Sequence, residues 1–141
     1  MKYKETPLGI KSNGISYTVL LIDDSRTARE ILKQMLLSLH FKVLDEAENG
    51  EIAMHKIQTS KIQPDFLFID MEMPLMNGIE TIKNLKPLLS NTRILMVTSR
   101  SDRELVMELI NLGVNGFIKK PYDRDIVIDK LTLLIRGSEK E

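Results

Sequence analysis

The sequence predicts an α/β protein built on a five-stranded, doubly wound parallel sheet. Five short apolar runs alternate with five segments whose apolar residues recur at helical spacing. The third run, residues 66–69, is apolar at every position, as expected of a central strand that is buried on both faces. Crossovers between such strands are right-handed and place helices on both faces of the sheet, so the strands should be parallel.

The first strand is predicted at residues 18–22 and stops abruptly at Asp23 and Asp24. Helical spacing begins at Ser25 and gives one apolar stripe, formed by Ala28, Ile31, Leu32, Met35, Leu36 and Leu39. Residues 41–47 predict a second strand, which is less apolar and therefore closer to an edge. Ala53 and Ile57 mark a short second helix that ends around residue 60, before the central strand.

The second half of the chain repeats the alternation. Asn77 is predicted to cap a third helix, with Glu80 at the reciprocal position of a capping box, and Pro87 should kink or fray its last turn. A fourth strand follows at residues 93–97. The fourth helix is predicted to open with a second capping box, from Ser101 to Glu104, and to stop at Gly113.

Residues 114–119 predict a fifth strand, which ends before Lys120 and Pro121. Asp123 should cap the last helix. We therefore expect one domain at residues 18–136. Residues 1–17 are predicted to be a tail or a small hairpin, because Asn13 and Gly14 form a two-residue turn signal. Residues 137–141 are expected to be a short C-terminal tail.

Composition limits the possible functions. The 141 residues are 43% hydrophobic, which suffices for one well-buried core. Twenty basic residues balance twenty acidic ones, so no overall field favours nucleic acid or an anionic membrane, and neither is an expected partner. The chain has no cysteine and no apolar stretch long enough to span a membrane. We expect a soluble, cytoplasmic protein.

Polar side chains follow four of the predicted strands: Asp23 and Asp24, then Asp70, then Thr98, then Lys120. The carboxyl ends of parallel strands share one rim, so these side chains should converge there. Three crowded carboxylates repel one another unless a cation lies among them, and ligands that offer only oxygen favour Mg²⁺. With a hydroxyl and an ammonium group beside it, such a site can hold a phosphoryl group while a carboxylate acts as the nucleophile.

Each of these residues also has an ordinary structural explanation. Asp24 could be no more than the cap of the first helix, and Thr98 could be an ordinary β-branched strand residue. Lys119 and Lys120 could be solvated surface lysines. Packing explains the methionines at positions 71, 73, 76 and 96 better than ligand binding does. Together the structural explanations weaken, because four unrelated accidents would have to fall on the same rim.

These residues resemble the receiver family of response regulators, over roughly residues 18–136. The resemblance rests on the acidic pair after the first strand, the motif Asp-Met-x-Met-Pro-x-Met-Asn-Gly that begins at Asp70, and the residues Thr98, Lys120 and Pro121. It implies the strand order 2-1-3-4-5 and a cis bond before Pro121. It also implies a stand-alone, non-enzymatic signalling protein, similar to a chemotaxis regulator or a phosphorelay intermediate.

The resemblance also implies a role for each site residue. Asp70 would accept a phosphoryl group from a histidine kinase. Mg²⁺ would be bound by Asp70 and Asp24, by Asp23 through water, and by the backbone carbonyl of Glu72. Thr98 and Lys120 would bind phosphoryl oxygens. The activated form would present a protein-binding surface made of the fourth helix, fifth strand and fifth helix.

Three features of this chain qualify the resemblance. The switch position on the fifth strand, often Tyr in the family, is Phe117, which has no hydroxyl. Lys119 stands beside the matched lysine, but strand alternation should turn it to the other face, which favours Lys120. Glu72 and Arg100, each two residues past a site residue, should pair across the opening and tune the lifetime of the phosphoryl group.

Other functions remain open at this point. A Mg²⁺-dependent phosphohydrolase of the haloacid dehalogenase type also uses a strand-end Asp, with a general acid at the position of Glu72. Its acidic metal pair comes late in the chain, however, whereas here that pair comes first. A flavodoxin-type flavin module needs a hydroxyl- and Gly-rich loop where this chain has two carboxylates. A pure interaction module that is never phosphorylated is the third alternative.

Overall fold

A computed structural model describes residues 7–139 and contains, within that range, five β-strands in one sheet. The strands are parallel and lie in the order β2-β1-β3-β4-β5, which confirms the predicted fold class and strand order. β2 is an edge strand and β3 is central, as predicted. The strands are β1 Thr18–Ile22, β2 Lys42–Ala47, β3 Phe66–Asp70, β4 Arg93–Thr98 and β5 Gly116–Lys119.

Five α-helices alternate with these strands in the described residues. They are α1 Arg26–Ser38, α2 Gly50–Ser60, α3 Gly78–Leu85, α4 Arg103–Asn111 and α5 Arg124–Glu139. A 3-10 turn, Lys86–Leu88, follows α3 and contains Pro87, which agrees with the predicted distortion of that helix end. None of these helices is long and apolar enough to cross a membrane.

Alternating side chains of the central strands build two core layers. Leu67 and Ile69 of β3 point to one face and pack with α2, α3 and α4, whereas Phe66 and Phe68 point to the other and pack with α1 and α5. All five residues of β3 are buried. The sheet is therefore covered on both faces, and the carboxyl ends of its parallel strands lie at one rim.

The structure corrects several predicted details. Asp102, not Ser101, caps α4: its carboxylate accepts the N–H of Leu105, so the helix starts one residue later than predicted. β5 begins at Gly116 rather than at residue 114. Ile31 is 52% exposed, because it lies at the margin of the α1 stripe, where Leu32 and Leu36 face the core.

The described segments before β1 and at the end of α5 are both ordered against or within the domain. Residues 10 and 16 form an antiparallel bridge around a turn, as the predicted hairpin requires, while residues 1–6 lie outside the described range. Gly9 is buried and its N–H donates to the carbonyl of Leu39 at 2.8 Å. The segment predicted as a C-terminal tail begins as helix, since α5 continues through Gly137 to Glu139.

Candidate functional site

Three carboxylates meet at the rim formed by the ends of β1 and β3. Asp23 and Asp24 directly follow β1, Asp70 is the last residue of β3, and each offers a carboxylate oxygen within 4.8 Å of the other two. The set contains only oxygen donors, as a hard divalent cation prefers. These residues can therefore hold a metal ion, as the sequence predicted.

Asp70 is the buried member of this cluster, with 3% of its surface exposed. Its Oδ1 accepts a hydrogen bond from Lys120 Nζ at 2.6 Å. Burial raises the pKa of Asp70 from 3.8 to about 6; the Lys120 hydrogen bond opposes this change, and the negative charges of Asp23 and Glu72 add to it. The same contact raises the pKa of Lys120 against the opposing effect of its burial. The ion pair thus stabilises a charge that its surroundings disfavour.

The turn after β1 orients the acidic pair. Asp23 Oδ1 accepts the N–H of Ser25 at 2.8 Å, and Ser25 in turn caps α1 by accepting the N–H of Ala28. Burial raises the pKa of Asp23 despite the Ser25 hydrogen bond and the nearby Lys120. Asp24 does not cap α1 and is exposed. The helix cap is therefore supplied by Ser25, which leaves both carboxylates available to a ligand.

Thr98 ends β4 and is 2% exposed. Its Oγ1 donates to Glu72 Oε1 at 3.0 Å and accepts the N–H of Arg100 at 3.0 Å. The same Glu72 oxygen accepts the Ser99 hydroxyl at 3.0 Å and the Ser99 N–H at 3.3 Å. Burial tends to raise the pKa of Glu72, but these hydrogen bonds hold it below its usual value. Glu72 is consequently ionised at neutral pH.

The prediction that Glu72 and Arg100 form an ion pair is wrong. Arg100 instead binds Asp102 with two hydrogen bonds, Nε to Oδ1 at 3.0 Å and a terminal nitrogen to Oδ2 at 3.1 Å. Asp102 lies only two residues further along, so a planar two-point contact forms at little entropic cost. Glu72 instead accepts hydrogen bonds from Thr98 and Ser99.

The loop after β3 is packed tightly against Asp70. A Cβ on Gly78 would lie 2.8 Å from the Asp70 carbonyl oxygen, so only glycine fits at that position without a shift. Asn77 caps α3 by accepting the N–H of Glu80 at 2.9 Å. At the facing loop, the Lys120–Pro121 peptide bond is cis, as predicted.

Lys120, and not Lys119, contacts Asp70, in agreement with the predicted alternation. Lys119 is exposed and lines a second cavity of about 560 Å³, next to the first site. Phe117 is half-buried and also lines this cavity, as does Thr98. The two predicted switch residues, Thr98 and Phe117, therefore border the same space.

Sequence reasoning assigned no role to three residues of the site, of which it placed only Ser99 at the rim. Ser99 adds two hydrogen bonds to Glu72, Arg29 binds the carbonyl of Asp23 and the carboxylate of Glu46, and Tyr122 lines the cavity of about 660 Å³ that contains Asp70. Ser99 and Tyr122 are adjacent in sequence to strand-end residues, which was the available signal. No spacing rule points to Arg29, because its contacts depend on the tertiary packing of α1 against β2.

The fold and this rim define a doubly wound α/β domain with an acidic site at the carboxyl ends of its strands. The family model "Response regulator receiver domain" matches residues 19–132, and the chain belongs to that family. It is accordingly a response regulator of two-component signal transduction, as the sequence predicted.

Several relatives are chemotaxis proteins. The chain is 32% identical over 117 residues to the chemotaxis protein CheY of Bacillus subtilis, an alignment that covers 83% of this chain and 96% of the relative. It is 35% identical over 115 residues to CheY-3 of Vibrio cholerae, covering 80% and 87%. The structure also resembles the CheX-CheY-BeF3-Mg+2 complex of Borrelia burgdorferi, with a TM-score of 0.86, 31% identity and coverage of 93% and 98%.

Proposed function

We propose that Asp70 accepts a phosphoryl group from the phosphohistidine of a histidine kinase or a phosphotransfer protein, in a reaction that requires Mg²⁺. One observation carries this proposal above the others. A carboxylate with 3% exposure lies at a strand end within 4.8 Å of two more carboxylates and 2.6 Å from a lysine ammonium group. A purely structural site gains nothing from crowding three acids in this way.

The residues present fit Mg²⁺. The carboxylates of Asp23, Asp24 and Asp70 and the backbone carbonyl of Glu72 would hold it, directly or through water. When bound, the ion neutralises the negative charge of the phosphoryl oxygens. The raised pKa values of Asp23 and Asp70 support this assignment, since both carboxylates are destabilised by their surroundings and a cation would relieve that strain.

The chain's own residues then perform the transfer. A carboxylate oxygen of Asp70 forms the new bond to phosphorus while the bond from phosphorus to the donor nitrogen breaks. The nitrogen leaves with the electron pair and is neutralised by a proton. Lys120, already held at Asp70, and the hydroxyl of Thr98 would bind oxygens of the transferred group.

The proposed response is a shift between two conformations. Thr98 would move toward the phosphoryl group, and Phe117 would repack in the cavity of about 560 Å³ that both residues line. The surface changed by this repacking is formed by α4, β5 and α5, where we place the downstream protein target. The related complex contains CheY with CheX, beryllofluoride and magnesium, which supports a protein partner for this chain.

We place the receiver domain at residues 18–136, with residues 1–17 and 137–141 as extensions, and we expect a cytoplasmic location. Neither nucleic acid nor a membrane is a proposed partner, because the 20 basic and 20 acidic residues of the chain balance. Glu72 is proposed to tune the lifetime of the phosphoryl group by overhanging Asp70. Arg100 was predicted to act with it, but its contact with Asp102 takes it out of that pair.

The test is intact mass after incubation with acetyl phosphate and Mg²⁺. We expect the mass of one added phosphoryl group on the wild type and none on Asp70→Asn. Asp24→Ala should abolish uptake by removing a metal ligand, and EDTA should do the same to the wild type. Undiminished phosphorylation in EDTA would refute the metal assignment, and an unmodified wild type would favour the non-phosphorylated interaction module.

A phosphohydrolase would need Glu72 protonated to act as the general acid. The hydrogen bonds from Thr98 and Ser99 lower the pKa of Glu72, so it lacks the proton to donate at neutral pH. Steady release of phosphate from an aryl phosphate would revive that alternative.

A further inference from the structure

The carboxylate of Glu72 occupies the hydrogen-bond donors that a phosphoryl group on Asp70 would need. Thr98 Oγ1 and Ser99 Oγ each donate to Glu72 Oε1 at 3.0 Å, and the Ser99 N–H donates to the same atom at 3.3 Å. Lys120 Nζ, which is bound to Asp70, lies 3.8 Å from Glu72 Oε2. Two hydroxyls, an amide and an ammonium group thus already surround an anion.

These contacts exclude simultaneous use by a second anion. A hydroxyl has one proton, so Thr98 cannot donate to Glu72 and to a phosphoryl oxygen at the same time. Hydrogen bonds to an ionised acceptor are also about twice as strong as neutral ones, so the contact with Glu72 must be displaced rather than shared. The two negative groups would further repel each other within a partly buried space.

The Glu72 side chain is free to leave. It is 42% exposed, whereas the Asp70 side chain is 3% exposed. Its hydrogen bonds are all accepted by the carboxylate, so rotation of the side chain into solvent breaks them without moving the backbone. The backbone carbonyl of Glu72, which we assign to the metal, keeps its place in either position.

We propose that Glu72 is a built-in competitor of the phosphoryl group: its carboxylate holds Thr98, Ser99 and Lys120 in the unmodified protein and must swing out before Thr98 can bind the group on Asp70. This inference rests on the proposed function of Asp70. Binding of a phosphoryl-like anion is then possible only for the fraction of molecules in which Glu72 has left, and the apparent affinity is lowered by that fraction.

The measurement is the dissociation constant of beryllofluoride in the presence of excess Mg²⁺, followed through backbone amide shifts of the full chain. Glu72→Ala should bind about tenfold more tightly than the wild type, since the displaced contacts are charge-assisted hydrogen bonds at a half-exposed site. Glu72→Gln should lie between the two, because its amide oxygen still accepts from Thr98 but carries no charge. Glu80→Gln removes the same charge from an exposed position on α3 and is the matched control.

A second readout reports the contact itself. The Ser99 amide, bound to a carboxylate in the wild type, should change its shift in unliganded Glu72→Ala and Glu72→Gln but not in Glu80→Gln. Equal affinities of wild type and Glu72→Ala, or an equal gain in Glu80→Gln, would overturn the competition. If neither the wild type nor any variant bound beryllofluoride, the result would refute the proposed function of Asp70 together with the competition. Binding with equal affinities would refute the competition alone, so the two failures are distinguishable.

Discussion

Replacing Asp70 with Asn should stabilise the metal-free protein at neutral pH, because the carboxylate is buried among other negative charges. Folded Asp70 has a pKa of about 6 and its ordinary value is 3.8, so the folded state binds this proton more tightly than the unfolded state. Between these two pH values the folded state holds more protons, and its stability falls as pH rises. Above about pH 6 the whole penalty is present, and below 3.8 it is absent.

The interval from 3.8 to about 6 corresponds to about 3 kcal/mol at about 1.36 kcal/mol per pH unit. Asn resembles the protonated acid in charge, so Asp70→Asn removes this penalty even though it weakens the contact with Lys120. Asp70 lines a cavity of about 660 Å³ that is open to solvent, which lowers the expected penalty. We therefore expect a gain of about 2 to 3 kcal/mol at pH 8 and about 1 kcal/mol at pH 4.5.

Urea unfolding in EDTA, followed by circular dichroism at several pH values, measures this gain. Asp129→Asn is the matched control, since Asp129 is exposed on α5, outside the site, and its substitution should change the free energy of unfolding by less than about 0.5 kcal/mol. Mg²⁺ should stabilise the wild type more than Asp70→Asn and so narrow the difference. A variant less stable than the wild type at pH 8, or a gain that did not shrink as pH fell, would refute the reasoning.

Gly9→Ala should lower the free energy of unfolding by about 1 to 3 kcal/mol, because the new Cβ would lie 2.4 Å from the backbone nitrogen of Phe41. Gly137→Ala is the control: its Cβ would enter open space, so the substitution should be neutral or stabilising. Equal urea midpoints for wild type and Gly9→Ala would contradict the close packing. At low salt, phosphorylated Arg100→Ala should lose its phosphoryl group at a rate within about twofold of the wild-type rate, because Arg100 pairs with Asp102 on the surface. The loss is measured by intact mass over time, and a tenfold faster loss would restore a role for Arg100 in shielding Asp70.

The order of strands and helices was predictable in part because charged residues end three of the five apolar runs. Asp23, Asp70 and Lys120 are charged residues that stop apolar runs, and the sheet places all three on one rim. The period of the apolar pattern then distinguishes strand from helix without any tertiary information. The face of an individual residue at the edge of a stripe was less predictable, as exposed Ile31 shows.

The prediction of where α4 starts depended on which of two good capping residues, Ser101 or Asp102, occupies the N-cap position. Ser101 and Asp102 both favour the N-cap position, and the capping-box spacing to Glu104 favoured Ser101. Asp102 caps the helix in the structure, with Oδ2 accepting both the N–H of Leu105 and a hydrogen bond from Arg100. The cap and the ion pair thus reinforce each other, which no count of residue spacing reveals.

The same contact explains why the partner of Glu72 was not predictable. Opposite charge suggested Arg100, but an exposed ion pair contributes at most about 1 kcal/mol and must fix two long side chains. Thr98 and Ser99 offer Glu72 three donors fixed by β4 and the residue that follows it, so the carboxylate gains more hydrogen bonds for the ordering of one side chain. At a strand-end rim, donors preorganised by the backbone outweigh a mobile cation of the right sign. An anion held at such donors is positioned to compete with any other anion delivered to the same rim.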